Sequence, residues 1–311
     1  MDTSTISRNF GYIKSKPDQR DVLITFDKKT IKTFKLTANI KPKIIDGIFD
    51  LRKIVVLPQA LSEIDQGTLG SCTANAIAYA YAFAEIKQHN RNTFMPSRLF
   101  IYYNERMIEN SIDEDSGAQI RTGIKTINKY GVCDEHHWIY DPLKFRVKPP
   151  IEAYEEAKLA KSVKYARIDF TKDITIDDRI EHIKRALLSG FPIVFGFVVF
   201  ESFMSQDVSK TGIVNMPKTY EQEIGGHAVC AVGFNENNKT FIVKNSWGSK
   251  WGLNGYFNMP YKYVADENLA SDFWIIQEVT DPIINNFNPE DINPDAINLD
   301  ADINSGGVVH N

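Results

Sequence analysis

The chain has 311 residues, of which 43% are hydrophobic and 24% are charged, proportions typical of a globular protein with a sizeable core. Its formal net charge of −4 and the lack of a basic stripe interleaved with aromatic residues exclude an electrostatic nucleic-acid binder. No stretch approaches the roughly 18–20 apolar residues that cross a bilayer, and the first residues hold no signal-peptide core. We expect neither a nucleic-acid nor a membrane partner, and we expect a monomer.

The cysteines are few and widely spaced: Cys72, Cys133 and Cys230. They are odd in number and form neither a disulfide framework nor a CxxC metal pair. A protein built in this way is expected to work in a reducing compartment.

The first 48 residues are polar and rich in lysine, with two short β-like runs at 22–26 and 31–36. They show no amphipathic periodicity that would predict a strong helix. We interpret residues 1–48 as an N-terminal extension of the main domain, which comprises residues 49–280.

The first half of the main domain has helical patterning. Residues 72–88 are rich in alanine, and their large apolar residues recur every three or four positions. This pattern predicts a buried helix with Cys72 in or near its first turn. Further helices are predicted from periodicity and end signals at 97–109 with Ser97 as cap, at 119–129 closed by Gly131, at 151–160, and at 177–189 before Gly190.

After residue 190 the pattern changes to short β-rich runs separated by Gly, Asn and Lys turns. The runs lie at 191–200, 227–234, 240–247, 255–260 and 273–279. A helical half followed by a β-rich half predicts the α+β class. The last segment, 281–311, is acidic and rich in Asn, Asp and Pro, and it is predicted to be a disordered tail.

Cys72 is the candidate nucleophile. A thiol attacks a carbonyl only as the thiolate, and the dipole at the start of a helix favours that negative charge. Gly70 and Ser71 directly precede it and allow a tight turn that presents the sulfur to a cleft. The alternative is a buried structural cysteine, the commoner fate of a lone cysteine.

Two residues of the β-rich half would complete a catalytic set. His227 follows two glycines at the start of an apolar strand, where an imidazole would lie at the edge of a cleft and act as the base. Asn245 ends the next β-run, and its amide oxygen would hold the imidazole in the reactive tautomer. The alternatives are a satisfied core histidine and a plain turn.

Gln66 and Trp247 flank this set. Gln66 lies six residues before Cys72, in a loop with glycines at 67 and 70. Its amide would donate to an oxyanion together with the Cys72 backbone N–H. Trp247 follows Asn245 by two residues and would shield the hydrogen bond of that residue from water. A polar loop glutamine and a packed tryptophan are the alternatives.

Three blocks of sequence resemble the signatures of papain-family (cathepsin-like) cysteine peptidases, in the order of that family. The blocks are Asp65-Gln66-Gly67 with Gly70-Ser71-Cys72, Gly226-His227-Ala228-Val229, and Lys244-Asn245-Ser246-Trp247-Gly248 with Trp251-Gly252 and Gly255-Tyr256. Asp50-Leu51-Arg52 is similar to the motif that opens the mature enzyme, and Ser116-Gly117 falls where the family has its substrate-binding glycines. The resemblance spans residues 48–280 and is nearest to a bacterial- and virus-type branch.

The resemblance implies a papain-like two-lobed fold, in which a helical lobe faces an antiparallel β-barrel-like lobe across the active-site cleft. It implies these roles: Cys72 as nucleophile, His227 as general acid and base, Asn245 as its orienting residue, and Gln66 as oxyanion donor. Gly117 would pair through its backbone with an extended peptide substrate, and Trp247 would belong to the substrate-binding region. This chemistry requires no metal and no organic cofactor.

The sequence departs from the family around the nucleophile. The family pattern CGSC followed by an aromatic residue is here Leu69-Gly70-Ser71-Cys72-Thr73. The disulfide-forming cysteine and the aromatic residue are therefore both missing. This argues against secretion, and we expect a location in the cytoplasm or inside a virion or host cell.

The expected function is hydrolysis of peptide bonds by an endopeptidase through a thioester acyl-enzyme. Because no catalytic role requires residues 1–48, we expect that segment to lie in or across the cleft as an inhibitory pro-segment. Two alternatives remain: a catalytically silent binding protein with the same fold, and a transferase or ligase that uses the same thioester.

One loop carries further chemistry-bearing side chains. Cys133, His136 and His137 follow one another closely, which suggests either a metal site or a dihistidine similar to that of the cathepsin B exopeptidase loop. The spacing is cramped, and a loop packed around Trp138 explains it more simply, so we expect no metal there.

Overall fold

The computed structural model describes residues 8–26, 43–89, 94–170 and 174–280. The predicted β-like run at 31–36 and the predicted disordered tail lie outside these residues. The helices are α1 (Gln59–Ser62), α2 (Cys72–His89), α3 (Arg98–Ile108), α4 (Ile120–Lys129), α5 (Ile151–Ala157), α6 (Ile176–Leu188), α7 (Gln206–Thr211) and α8 (Tyr261–Ala265). The strands are β1 (Leu23–Ile24), β2 (Ile48–Asp50), β3 (Ser162–Ile168), β4 (Ile193–Phe200), β5 (Glu223–Asn235), β6 (Thr240–Lys244), β7 (Tyr256–Pro260) and β8 (Ala270–Val279).

The central helix α2 packs against the sheet. Its residues from Cys72 to Glu85 are all buried, and six of these 14 side chains are small alanines, which allow β5 and β8 to approach closely. The next helix, α3, begins after Ser97, whose side chain accepts from the backbone N of Phe100 at 3.2 Å. The predicted cap and the helices predicted from periodicity are therefore confirmed.

The sheet has the strand order β1-β3-β8-β4-β5-β6-β7, with β2 paired to β5. All pairs are antiparallel except β1 with β3. Along β5, Val229 and Ala231 face one hydrophobic core, whereas Ala228 and Cys230 face the other. This period of two separates a core under α2 from a core on the opposite face of the sheet. The predicted α+β class is confirmed.

Five elements differ from the sequence prediction. Strands β2 and β3 and the short helices α1, α7 and α8 were not predicted. Strand β3 carries charged residues at Lys164 and Arg167, which hide its alternation of buried and exposed positions. The short helices have at most six residues, too few for a helical period to be visible. No helix within the described ranges is long and apolar enough to cross a membrane.

The N-terminal segment is built into the domain. Strand β1 adds to the edge of the sheet beside β3, and the fully buried ring of Phe26 joins a hydrophobic core. The carboxylate of Asp21 is fully buried and pairs with Arg121 at 2.7 Å and Arg167 at 3.4 Å. Residues 21–26 are therefore part of the packed protein.

Candidate active site

Cys72 is the first residue of α2, and its side chain is fully buried. Its Sγ accepts from the backbone N of Ala228 at 3.4 Å, and the backbone N–H of Gly11 also bonds to the thiol. Burial raises the pKa of the Cys72 thiol to about 12, although these two donors act in the opposite direction. The thiol is therefore neutral while residue 11 covers it.

His227 lies on β5, and Asn245 follows the end of β6. The Nε2 atom of His227 is 2.8 Å from Oδ1 of Asn245, and the backbone N of Ser246 donates to the same Oδ1 at 2.8 Å. Because this Asn245 atom accepts a backbone N–H, it is the amide oxygen and not the amide nitrogen. Nε2 of His227 therefore carries the proton of the His227–Asn245 hydrogen bond. Nδ1 keeps its lone pair, and it makes no hydrogen bond to any described residue. In this tautomer Nδ1 can accept a proton, as a general base must.

Aromatic rings enclose the imidazole of His227. The ring centroid of Trp247 lies 5.1 Å away, that of Phe197 5.8 Å and that of Phe10 6.1 Å. Burial lowers the pKa of His227 to about 4, against the hydrogen bond to Asn245, which raises it. The Trp247 ring thus packs beside the imidazole of His227, and its shielding of the hydrogen bond to Asn245 stays a prediction.

The side chain of Gln66 is fully buried and held at both ends. Its Oε1 accepts from Oγ of Ser246 at 2.6 Å, and its Nε2 donates to the carbonyl of Leu69 at 2.8 Å. Nε2 also donates to the carbonyl oxygen of Asn9 at 3.1 Å. One N–H of the amide therefore points into the cleft toward a peptide carbonyl. Ser246, which fixes this orientation, was not predicted, and its only signal is its position beside Asn245.

Gly117 lies at the cleft, but it is the neighbouring residue Ala118 that hydrogen-bonds to the backbone of Gly11 and Ile13. The N of Ala118 donates to the carbonyl of Gly11 at 2.7 Å, and the N of Ile13 donates to the carbonyl of Ala118 at 3.0 Å. Gly117 has a φ of +74°, and its N donates to the hydroxyl of Tyr102 at 3.1 Å. A Cβ at residue 117 would stand 2.2 Å from the Gly11 carbonyl oxygen, so glycine permits the close approach while Ala118 supplies the hydrogen bonds.

Residues 8–13 form an extended segment across the whole site, which we call the cleft segment. At one end Arg8 forms an ion pair with Asp65, and its guanidinium lies 5.7 Å from the Trp247 ring centroid. At the other end the N of Tyr12 donates to the carbonyl of Gly226 at 3.0 Å. The cleft segment therefore covers both Cys72 and His227. No pattern in its sequence marks these residues, because all of their partners are distant in the chain.

The loop that carries Cys133 does not gather its three candidate ligands. Cys133 is fully buried, whereas the side chain of His136 is 89% exposed and bonds to Asp134 at 2.8 Å. His137 faces Glu156 instead, at 3.6 Å. Across the described ranges, no group of three or more His, Cys, Asp or Glu side chains could hold a metal ion.

The family model described as "Papain family cysteine protease" matches residues 48–274. A peptidase C1-like protein of Acanthamoeba polyphaga mimivirus is 96% identical over 311 residues, which are 100% of both chains. Pro-cathepsin H of Mus musculus is 39% identical over 88 residues, which are 27% of this chain and 25% of that protein.

Two solved structures show the same architecture. Xylellain, a cysteine protease from Xylella fastidiosa, has a TM-score of 0.71 at 37% identity and covers 89% of this chain and 98% of its own. Procathepsin L 3 of the Tenebrio molitor larval midgut has a TM-score of 0.59 at 16% identity and covers 87% of this chain and 76% of its own. The predicted papain-like α+β fold and the predicted class of cysteine peptidase are confirmed. The chain belongs to the papain family of cysteine proteases.

Proposed function

We propose that this protein is a cysteine endopeptidase made as a zymogen, with Cys72 as nucleophile and residues 8–13 as the inhibitory segment. The observation that carries the proposal is the occupied cleft. A peptide carbonyl, that of Asn9, bonds to the side-chain amide of Gln66, and the N–H of Gly11 bonds to the thiol of Cys72. The chain thus binds a stretch of its own backbone where a substrate would react.

Catalysis begins when the cleft segment leaves. Nδ1 of His227 takes the proton of the thiol, and the N-terminal end of α2 stabilises the thiolate of Cys72. The thiolate attacks the carbonyl carbon of the substrate peptide bond. Nε2 of Gln66 and the backbone N–H of Cys72 then donate to the oxyanion of the tetrahedral intermediate.

The intermediate collapses in two half-reactions. His227 gives its Nδ1 proton to the leaving amine as the C–N bond breaks, and a thioester remains on Cys72. His227 then takes a proton from water, which attacks the thioester carbonyl and releases the carboxylic product and the thiol. Asn245 holds the imidazole in position through both half-reactions, and no external oxidant, reductant or cofactor is consumed.

The course of the cleft segment favours an endopeptidase. It extends from Arg8, which pairs with Asp65, to Ile13, which pairs with Ala118, and Cys72 lies between the two ends. A cleft that holds backbone on both sides of the nucleophile accepts the interior of a polypeptide as well as its ends.

The geometry also explains why the cleft segment can resist cleavage. The group of Gly11 that bonds to Sγ of Cys72 is an N–H donor, which is not an electrophile. Burial keeps both the thiol and the imidazole of His227 neutral. The segment therefore inhibits by occupying the oxyanion donor and by excluding water.

We further propose that the enzyme acts in a reducing location, in the cytoplasm or inside a virion or host cell. The matching protein of a mimivirus and the three free cysteines support this assignment.

The substitution Gly11→Ala tests the proposal on the full-length chain. A Cβ at residue 11 would stand 1.6 Å from the carbonyl oxygen of Gly70, and Asp115 holds the N of Gly70 at 2.9 Å. Alanine therefore cannot occupy this position unless the cleft segment moves out. Ile13→Ala is the matched control, because Ile13 is 41% exposed and contributes its backbone N–H, which alanine keeps, to the pairing with Ala118.

Gly11→Ala is expected to cleave a mixed fluorogenic peptide library and to react with iodoacetamide at Cys72. Wild type and Ile13→Ala should do so at least about tenfold more slowly. Adding Cys72→Ala to Gly11→Ala should abolish cleavage. Cleavage that survives the loss of Cys72 would refute the proposed nucleophile, and a wild type as active as Gly11→Ala would refute the zymogen.

A further inference from the structure

The side chain of Tyr12 occupies a pocket of its own in the cleft. Its backbone is fixed on both sides, because the N of Tyr12 donates to the carbonyl of Gly226 at 3.0 Å and its neighbours pair with Ala118. The ring then passes over β4 to the bulged end of β8. Because the cleft segment lies where a substrate would lie, this pocket is available to a substrate side chain once the segment has left.

Two glycines make room for the ring. A Cβ at Gly196 on β4 would stand 2.0 Å from Cζ of Tyr12 and 2.2 Å and 2.3 Å from its Cε atoms. A Cβ at Gly226 on the neighbouring strand would stand 3.0 Å from Cδ1 of the same ring. Glycine weakens a strand interior, and it occurs there where another group must approach closely. Here that group is an aromatic ring.

The far end of the pocket is polar and binds the hydroxyl group of Tyr12. The Tyr12 hydroxyl is 2.7 Å from Oγ of Ser271 and donates to Oδ2 of Asp272 at 2.8 Å. Burial and the neighbouring Asp272 carboxylate raise the pKa of Tyr12 far above its usual value, so the phenol stays protonated and donates.

A bulge in β8 aims this carboxylate at the pocket. Between Val194 and Gly196, β4 advances by two residues, whereas β8 advances by three, from Trp274 to Ser271. Asp272 lies within the extra step, with a φ of +57°. Such bulges redirect a side chain, and they are common beside active sites.

The charge around Asp272 favours a neutral donor over a cation. Its side chain is buried, and its Oδ1 lies 3.2 Å from the guanidinium of Arg167, so one positive charge is already present. The N of Ser15 also donates to Oδ2 at 2.7 Å. A lysine or arginine side chain would add a second positive charge next to Arg167. A phenol adds a hydrogen bond without a charge, whereas phenylalanine removes the partner of the Ser271 hydroxyl and one of the two donors to Oδ2.

We propose that the pocket formed by Gly196, Gly226, Ser271 and Asp272 selects a tyrosine side chain in protein substrates, and that Tyr12 occupies it in place of a substrate. This inference rests on the proposed peptidase function, and it names the substrate class of that site. A site built to bond a hydroxyl group discriminates against the analogue that lacks it, because its buried polar groups are left unpaired.

The test uses the full-length Gly11→Ala protein and a peptide library with Tyr, Phe, Leu or Lys placed in turn at each position around the cleaved bond. At one position Tyr is expected to exceed Phe and Lys in kcat/KM by about ten- to a hundredfold. Ser271→Ala should reduce the preference for Tyr over Phe several-fold, and Gly196→Ala should lower cleavage of both aromatic peptides. Ser202→Ala, a surface serine substitution away from the pocket, is the control and should preserve the Tyr preference.

A binding measurement separates this inference from the proposed function. The synthetic octapeptide of residues 8–15 is added to Gly11→Ala, and protection of Cys72 from iodoacetamide is measured. The peptide with Tyr12 replaced by Phe should require an about tenfold higher concentration to give the same protection of Cys72. Equal protection by both peptides, or equal cleavage of Tyr and Phe substrates, would overturn the pocket assignment even if cleavage occurs. Tyr-dependent protection without any cleavage would uphold the pocket and overturn the peptidase.

Discussion

The side-chain amide of Gln66 donates to the carbonyl oxygen of Asn9 over 3.1 Å. In the proposed mechanism the same N–H stabilises the oxyanion of the substrate. One N–H cannot serve both groups well at once, because a hydrogen bond weakens steeply away from its preferred direction. Inhibition by the cleft segment and catalysis therefore compete for one donor.

Substitution of Gln66 by alanine should separate cleavage from thiol reactivity. In the Gly11→Ala background, Gln66→Ala should lower kcat for peptide cleavage by about 10²- to 10³-fold, the usual effect of losing one oxyanion donor. Alkylation by iodoacetamide forms no oxyanion, so the labelling rate of Cys72 should change little. Gln59→Ala, at an exposed glutamine, is the control. Equal losses in cleavage and labelling would show that Gln66 supports the fold around Cys72 and is not an oxyanion donor.

The pH dependence of Cys72 labelling should differ between the covered and open proteins. With the cleft segment in place, burial raises the pKa of the thiol to about 12 and lowers that of His227 to about 4. Both groups are thus neutral across the range between those values, and labelling of the wild type should rise with pH through the alkaline range. In Gly11→Ala the exposed thiolate is stabilised by α2 and protonated His227, so its apparent pKa should lie below about 8.5. The check is the rate of iodoacetamide labelling from pH 5 to pH 10, and superimposable profiles would contradict the covered site.

The ion pair of Arg8 with Asp65 should contribute modestly to closure. The side chain of Arg8 is 11% exposed but that of Asp65 is 41% exposed, so solvent screens the pair, and we expect about 1 kcal/mol. Arg8→Ala should therefore increase Cys72 labelling of the full-length protein about fivefold. Arg20→Ala removes an arginine that pairs with Asp18 on the surface, and it should leave the rate unchanged. An effect of equal size from both variants would indicate that Cys72 labelling responds to the net charge of the protein and not to the Arg8–Asp65 ion pair.

The residues of the site that sequence could identify carry local signals. Cys72 begins a helix with an evident period, and His227 follows two glycines at the start of an apolar strand. Asn245 ends the next run of β-forming residues. In each case the neighbours along the chain determine the backbone conformation, so the pattern predicts where the side chain lies.

The remaining partners depend on distant residues and carry no such signal. Tyr12 meets Asp272 across 260 positions of sequence, and Gln66 meets Asn9 across 57. The cleft segment has neither helical nor strand periodicity, since its backbone bonds to the cleft and its side chains contact residues that are distant in the chain. Composition also cannot reveal that Ala118, and not Gly117, hydrogen-bonds to the cleft segment, because this depends on the geometry of the turn.

The part of the N-terminal segment that follows the cleft should behave as core and not as a removable extension. The ring of Phe26 is fully buried in a hydrophobic core, with its centroid 6.4 Å from that of Phe191. Phe26→Ala should lower the free energy of unfolding by about 3–5 kcal/mol, the usual cost of a large-to-small change in a core. Val22→Ala, at a residue that is 56% exposed, should lower it by less than about 0.5 kcal/mol. Urea unfolding of the full-length proteins measures both values.

The two outcomes of that measurement lead to different routes of activation. If Phe26→Ala is as mild as Val22→Ala, residues 21–26 contribute little to stability, and the whole N-terminal segment can be discarded when the enzyme is activated. If the loss is large, removal of Phe26 would leave a cavity, and removal of Asp21 would leave Arg121 without the buried carboxylate that it pairs with. Activation would then have to move or cut the chain between the cleft segment and Asp21, and residues 21–26 would stay bound to the active enzyme.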